Sequence, residues 1–129
     1  MDGRTNPMVN PRAIAATCLI PGVTYHEKWQ IIRDGLSGFA GRPLVLNEPI
    51  FACASESNFR NREIAKRLEA LRRLSLDPAE AVDLYTRQCS LDVSAKDLAV
   101  MGATLADGGV NPVTRQRVIE AESCNSLWR

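Results

Sequence analysis

The stretch NPMVNPRAIAAT, residues 6–17, places two asparagine carboxamides beside two prolines. A carboxamide offers a hydrogen-bond donor and an acceptor without a net charge, which suits the binding of a small polar molecule. Asn is also a good N-cap and Pro suits the first helical turn, so Asn10-Pro11 predicts the start of a helix. A helix start accounts for one asparagine and one proline, but not for Asn6-Pro7, which resembles a rigid segment presenting a carboxamide. Ligand binding and helix capping are therefore both open for Asn10.

One sequence pattern for an activated nucleophile, a serine or threonine followed three positions later by a lysine, is absent from the sequence. The lysines are Lys28, Lys66 and Lys96, and no serine or threonine precedes one of them by three positions. The Ser-x-x-Lys arrangement, in which one helical turn brings the lysine beside the serine, is thus missing. The single histidine, His26, falls in the first turn of a predicted helix next to Glu27, which indicates a surface position rather than a catalytic one.

Four cysteines lie about 35 residues apart, at positions 18, 53, 89 and 124. Their flanking residues share no repeat, and no CxxC pair or paired histidine supplies zinc ligands. The sequence therefore predicts no metal site and no cofactor. Apolar helical neighbours surround Cys18 and Cys89, so we expect both to be buried, reduced packing thiols.

Charge and hydropathy exclude several classes of partner. Sixteen basic and fifteen acidic residues leave a net charge of +1, which gives no field to attract nucleic acid or anionic lipid. No stretch approaches 18 consecutive apolar residues, and no basic segment followed by an apolar run opens the chain. We therefore expect a cytoplasmic protein that binds neither nucleic acid nor membrane.

Capping residues and apolar periodicity predict a mainly α chain of five to six helices with hardly any strand. A bend is predicted over residues 58–61, followed by a helix over residues 62–74. The segment after Val110 has an ambiguous pattern. The predicted helix starts with a capping side chain are Asn10, Thr24, Asn47, Asp77 and Ser94.

Four blocks follow one another along the chain: NPMVNPRAIAAT, SNFRNREIA, VDLYTRQCSL and DLAVMGATLADGGVNPVT. In this order and spacing they resemble the serine-dependent glutaminase family. The resemblance covers about residues 5–120, and residues 121–129 diverge from the family pattern. The family's domain is more than twice as long, so we expect residues 1–129 to form a partial glutaminase domain, an internal fragment.

The resemblance implies hydrolysis of L-glutamine to L-glutamate and ammonia. It also implies an α+β fold similar to that of serine β-lactamases and penicillin-binding proteins, of which this chain would supply mainly the helical part. The implied substrate contacts are Asn10, Asn61 and Tyr85, whose polar groups can hold the charged end of an amino acid. Two alternatives stay open, in which Asn61 closes a bend and Tyr85 is an ordinary core aromatic.

The chain departs from the family at several positions. The family's Ser-x-x-Lys pair lies upstream of the first block and its Lys-Ser-Gly segment well downstream, so the resemblance implies no catalytic residue within this chain. A substrate-binding glutamate is expected where Ala54 stands; Glu56, about 200° further around a helix, replaces it only if the backbone shifts. Arg12 stands where the family has glycine, so we expect it to crowd the pocket. Arg115 also replaces a glycine, at a cost of about 1 kcal/mol if its φ is positive.

Three functional hypotheses follow. The first is a glutaminase-family chain that binds L-glutamine, with negligible turnover unless segments from elsewhere complete it. The second is a degenerate, non-catalytic helical interaction module; a shared core cut in this way would expose more apolar surface than monomers usually show, which leaves a homo-oligomer open. The third, a thiol redox protein, is weaker because no cysteine has the basic, partly exposed setting that lowers a thiol pKa.

Overall fold

The computed structural model describes residues 9–126 of the 129-residue chain, so Asn6 and residues 127–129 of the divergent tail lie outside the description. Over this range two isolated antiparallel bridges, Leu46 with Leu91 and Val110 with Arg117, are the only β pairing. The prediction of a mainly α chain is confirmed for these residues. The helices are α1 (Asn10–Cys18), α2 (Tyr25–Ala40), α3 (Glu48–Ser57), α4 (Phe59–Ala70), α5 (Pro78–Cys89), α6 (Ala95–Ala106) and α7 (Ala121–Ser126).

Local capping starts several helices where the sequence predicts it. Before α2, Thr24 Oγ1 accepts the Glu27 N–H at 3.2 Å and the Glu27 carboxylate accepts the Thr24 N–H at 3.0 Å, a complete capping box. The N–H groups of Thr24 and Val23, which both donate to the Glu27 carboxylate, hold the pKa of Glu27 below its usual value. Ser94 and Asp97 form the same reciprocal pair before α6. The Asp77 carboxylate caps α5, and the Asn47 side chain caps α3.

The boundaries of α4 differ from the prediction. Asn58 alone separates α3 from α4, so the predicted bend over 58–61 and helix over 62–74 are both wrong in extent. The helix ends early because Arg72 adopts a left-handed conformation with φ of 54°, which terminates a helix in the way glycine usually does. The turn brings Leu74 against the hydrophobic core instead of continuing the helix.

The described residues form two compact units. The first comprises residues 9–31 and 46–91, and in it α1, α4 and α5 pack on one another. Its core contains Ile14 and Ala81, both fully buried, and Cys18, which is 2% exposed. Partly buried side chains surround these three: Ile64, Leu68, Leu74, Leu76 and Tyr85. Burying this apolar surface provides the main stabilisation of α1 against α4 and α5.

An aromatic cluster around Arg87 fixes α5 within the first unit. The Arg87 guanidinium lies over the rings of Phe51, Trp29 and Tyr25, at 4.6, 5.8 and 5.9 Å from their centroids. Its Nε donates to the Asp83 carboxylate at 3.1 Å, and the Tyr25 hydroxyl donates to the same carboxylate. Cation–π contacts and a charge-assisted hydrogen bond therefore tie α5 to α2 and α3.

The second unit comprises residues 32–45 and 92–126 and is organised around Asn111, which is fully buried. Its Nδ2 donates to the carbonyl oxygens of Gly38 and Phe39 at 2.9 and 3.0 Å. Its Oδ1 accepts the N–H groups of Val113 and Thr114 at 2.9 and 3.0 Å. One side chain thus satisfies four backbone groups and joins the end of α2 to the following turn.

Candidate functional site

Three polar side chains from three helices meet in the first unit. Asn10 is at the start of α1, Asn61 lies in α4 and Tyr85 in α5. Asn10 Nδ2 donates to Asn61 Oδ1 at 2.8 Å, and the Tyr85 hydroxyl donates to Asn10 Oδ1 at 3.3 Å. We call these three residues the amide network. The structure thus brings together all three residues that the family resemblance selected, although they are far apart in sequence.

Asn10 is not the N-cap of α1, so the capping interpretation is wrong. The cap is Val9, with extended backbone angles and no side-chain bond to the helix, and Asn10 is already the first helical residue. Pro11 occupies the first turn, as expected for a residue without an N–H. The Asn10 side chain instead reaches partners 51 and 75 residues away in sequence. The hydrogen bonds of Asn10 to Asn61 and Tyr85 therefore replace the helix-capping bond that asparagine favours locally.

Two members of the network line a hollow of about 280 Å³, which we call the amide hollow. Asn61 and Tyr85 lie in its wall. Its volume is just below the range that holds drug-sized ligands, in keeping with an amino-acid-sized molecule. All of its lining side chains within the described range are uncharged: Ala54, Ser57, Asn58, Asn61, Tyr85, Thr86 and Cys89. Such a wall can accept and donate hydrogen bonds but supplies no counter-charge.

The end of α5 places a hydroxyl and a thiol side by side in this wall. Partial burial, followed by the neighbouring Cys89 thiol, raises the pKa of Tyr85, so its hydroxyl stays protonated and can donate at neutral pH. Cys89 itself is exposed, so the expectation that it is buried is wrong, whereas Cys18 is buried as expected. Cys89 is the last residue of α5, and its side chain faces the hollow rather than the core.

The structure separates Glu56 from the amide network. Ala54 lines the amide hollow, whereas Glu56 is exposed on α3 and contributes nothing to the lining. Its role as a substitute carboxylate therefore stays a prediction without geometric support. Arg115 has a φ of 62°, as the resemblance implied for a position where the family has glycine. Arg12 is exposed, and the lining of the hollow does not include it.

The amide hollow can bind and orient, but its lining holds no nucleophile activated by a base. The Ser57 hydroxyl donates to the Cys53 carbonyl at 3.0 Å, and no lysine or histidine lines the hollow within residues 9–126. In the same range no three His, Cys, Asp or Glu side chains are grouped closely enough to hold a metal ion. No described helix has both the length and the apolar character needed to span a bilayer.

Comparison with known sequences identifies a family with similar members in several bacteria. The glutaminase family model matches residues 2–128. Glutaminase 2 of Yersinia pestis is 64% identical over 124 residues, covering 96% of this chain and 36% of that protein. The glutaminase of Mycobacterium ulcerans is 48% identical over 118 residues, covering 92% of this chain and 37% of the relative. The chain thus spans little more than a third of the length of these relatives.

Solved structures have the same fold over the shared region. The probable glutaminase ybaS superposes with a TM-score of 0.90 at 41% identity, covering 93% of this chain and 39% of that one. The Bacillus subtilis glutaminase YbgJ, in its covalent complex with 5-oxo-L-norleucine, superposes with a TM-score of 0.86 at 27% identity, covering 93% and 41%. The expectation that these helices form the helical part of a β-lactamase-like fold is confirmed.

Proposed function

The chain belongs to the glutaminase family, and from that premise we propose that its helices provide the substrate-orienting wall of a glutaminase. The reaction is the hydrolysis of the side-chain amide of L-glutamine by water, which yields L-glutamate and ammonia. The observation that carries this proposal is the amide network, in which Asn10, Asn61 and Tyr85 converge beside a hollow of about 280 Å³. We infer a cytoplasmic setting, in keeping with the free thiols of all four cysteines, since disulfides form mainly in oxidising compartments.

In this proposal Asn61 and Tyr85 touch the substrate directly, because both line the amide hollow. Asn10 holds the Asn61 carboxamide and accepts from the Tyr85 hydroxyl, so it sets the orientation of both side chains. Fixing a substrate near its attack geometry is a large part of enzymatic rate enhancement. A structural neighbour that forms a covalent complex with 5-oxo-L-norleucine, an amino acid of similar length to glutamine, supports this class of ligand.

The attacking group does not come from the wall itself. The hydroxyls of Ser57, Tyr85 and Thr86 and the thiol of Cys89 line the hollow, but within residues 9–126 no lysine or histidine lines it to accept their protons. An unactivated hydroxyl is a weak nucleophile near neutral pH. We therefore infer that this chain binds glutamine but has negligible turnover unless further polypeptide provides the nucleophile.

Binding is tested by titrating the isotope-labelled chain with L-glutamine and following its backbone amide resonances. We expect perturbations centred on the amide hollow, with a Tyr85→Phe variant weakening binding about fivefold, since a neutral hydrogen bond contributes about 1 kcal/mol. Tyr25→Phe is a matched control, because it removes the same atom from a hydroxyl bound to Asp83 outside the hollow. Equal losses in both variants, or perturbations elsewhere, would contradict the proposal.

Turnover and covalent labelling test the missing nucleophile separately. We expect no ammonia release from L-glutamine above the blank. We also expect no mass increase after exposure to 6-diazo-5-oxo-L-norleucine, the reagent that labels the B. subtilis relative. Turnover by the wild-type chain that is lost in Ser57→Ala would show that the wall contains its own nucleophile. That result would refute the inference on turnover while leaving the binding proposal intact.

A non-catalytic interaction module is the second candidate, favoured by the apolar surface that the described helices expose. Large apolar side chains are exposed by more than 60% at six described positions: Leu19, Val23, Val45, Phe59, Leu71 and Val113. Isolated exposed apolar residues are common, but this number on a small chain favours contact with other polypeptide. Sedimentation velocity at increasing protein concentration tests whether this surface mediates self-association. A monomer at every concentration would argue against it.

A further inference from the structure

A second hollow lies where the start of α1 faces α4, and Asn10 is the one member of the amide network that lines it. Its volume is about 640 Å³. It shares no lining residue with the amide hollow. We call it the arginine hollow, after the two arginines in its lining: Val9, Asn10, Pro11, Arg60, Glu63, Ile64 and Arg67.

The two arginines make the rim of this hollow positive. Arg60 and Arg67 are seven residues apart on α4, so they share a helix face and their Cα atoms are separated by about 10.5 Å along the axis. Both are exposed, and within residues 9–126 neither guanidinium has a carboxylate within ion-pair distance. Glu63 lies between them, but its carboxylate is paired with the Lys66 ammonium at 3.0 Å. Two cations therefore remain available to an anionic partner.

Three apolar residues line the arginine hollow beside the two arginines, and we call them its floor. Val9 is 38% exposed, and Ile64 lies partly buried against the core of the first unit. Pro11 completes this surface. The volume of about 640 Å³ is within the range that encloses most of a drug-sized ligand. The apolar floor can accept an apolar side chain, and the two arginines can bind carboxylates. This combination suits the docking of a peptide.

We propose that the arginine hollow docks an acidic peptide segment of a partner protein, in which two carboxylates flank an apolar side chain. A guanidinium binds a carboxylate through two parallel hydrogen bonds, so each arginine fixes the direction as well as the charge of its partner. In an extended peptide, residues four positions apart and the residue midway between them point to the same face, and the outer two are separated by about 13 Å. That distance exceeds the axial separation of Arg60 and Arg67 by about 3 Å, which the long arginine side chains can span, and the residue midway between the carboxylates points toward the floor.

The test uses the whole chain and a fluorescent hexapeptide with blocked ends, two glutamates four positions apart and a leucine midway between them. Fluorescence anisotropy should show binding that weakens as salt is added, because exposed ion pairs are screened. The Arg60→Gln/Arg67→Gln double variant should weaken binding about three- to tenfold, as expected for two partly solvated ion pairs. Glu63→Gln should tighten binding, since it removes the negative charge between the arginines.

Arg73→Gln is the matched control, because it deletes the same charge from an exposed arginine outside the hollow. An equal loss with this control, or equal binding of a peptide with glutamines in place of glutamates, would overturn the proposal. Free glutarate displacing the peptide at the same molar concentration would show a small dicarboxylate site instead, and would overturn it too. Tyr85→Phe should change glutamine binding but not peptide binding, which separates this site from the proposed glutaminase wall.

Discussion

Replacing Asn111 by aspartate should destabilise the second unit in a pH-dependent way. The aspartate keeps an oxygen that accepts the Val113 and Thr114 N–H groups, but its other oxygen faces the Gly38 and Phe39 carbonyls at about the 2.9 and 3.0 Å that the amide now spans. The two hydrogen bonds that the amide donates are lost, and the four backbone groups around the buried carboxylate supply no positive charge to offset its own. Together these effects cost about 3–5 kcal/mol when the carboxylate is ionised.

Protonation should recover most of this loss. A neutral carboxyl group can donate to one of the two carbonyls, which leaves a deficit of about 1 kcal/mol. The difference of about 2–4 kcal/mol corresponds to a folded pKa about 1.5 to 3 units above the unfolded value of about 3.9. Since the folded pKa is raised, the variant comes within about 1 kcal/mol of wild-type stability below about pH 4 and loses this stability as pH rises through about 5.5 to 7.

Urea denaturation followed by far-ultraviolet circular dichroism, at about pH 4 and about pH 8, measures this difference against wild type. Asn47→Asp is the control, since Asn47 Oδ1 caps α3 at 3.0 Å from the Ile50 nitrogen and aspartate caps equally well. Its stability should stay within about 0.5 kcal/mol of wild type at both pH values. A destabilisation by Asn111→Asp that does not depend on pH would refute the reasoning about the two carbonyls.

Three further predictions follow from single features. Ala54→Glu should tighten L-glutamine binding about tenfold in a calorimetric titration, because it places a carboxylate in a neutral wall; unchanged affinity would argue against an ammonium in that hollow. Gly109→Ala should destabilise the chain by more than about 3 kcal/mol in urea denaturation, because its φ is 90° and a Cβ would lie 2.0 Å from the Ile119 carbonyl oxygen. The Arg42 guanidinium forms an ion pair with Asp97 and lowers the pKa of its carboxyl group. This ion pair therefore stabilises the chain above the ordinary aspartate pKa, and the stabilisation is lost as pH falls below it. The difference in stability between wild type and Arg42→Gln should shrink accordingly in acid titrations.

Short-range signals predicted the helix starts well. The capping boxes at Thr24 and at Ser94 need partners only three residues away, so the sequence contains the whole interaction. The same rule failed at Asn10, because its hydrogen-bond partners lie on α4 and α5. The end of α4 was missed because Arg72 adopts a conformation that usually requires glycine or asparagine.

The candidate site depended on resemblance rather than on local pattern. Asn61 and Tyr85 have no sequence feature that marks them as neighbours, and only the order of the four family blocks selected them. The arginine hollow went unnoticed because Arg60 and Arg67 lie in a segment rich in both charges. The sequence also predicts an i,i+4 pair of Glu63 with Arg67, whereas in the structure the Glu63 carboxylate pairs with Lys66 at 3.0 Å. Cys89 was misassigned because apolar neighbours on a helix do not determine which face its last residue presents.

The amide network also determines how the wall behaves as a scaffold. Asn10, Asn61 and Tyr85 satisfy one another through bonds of 2.8 and 3.3 Å. A molecule that displaces these bonds replaces one hydrogen bond by another, so the net free energy gained per exchanged bond is small. The arrangement is therefore self-sufficient: selection for folding alone could preserve these polar residues in a lineage that had ceased to use them for chemistry.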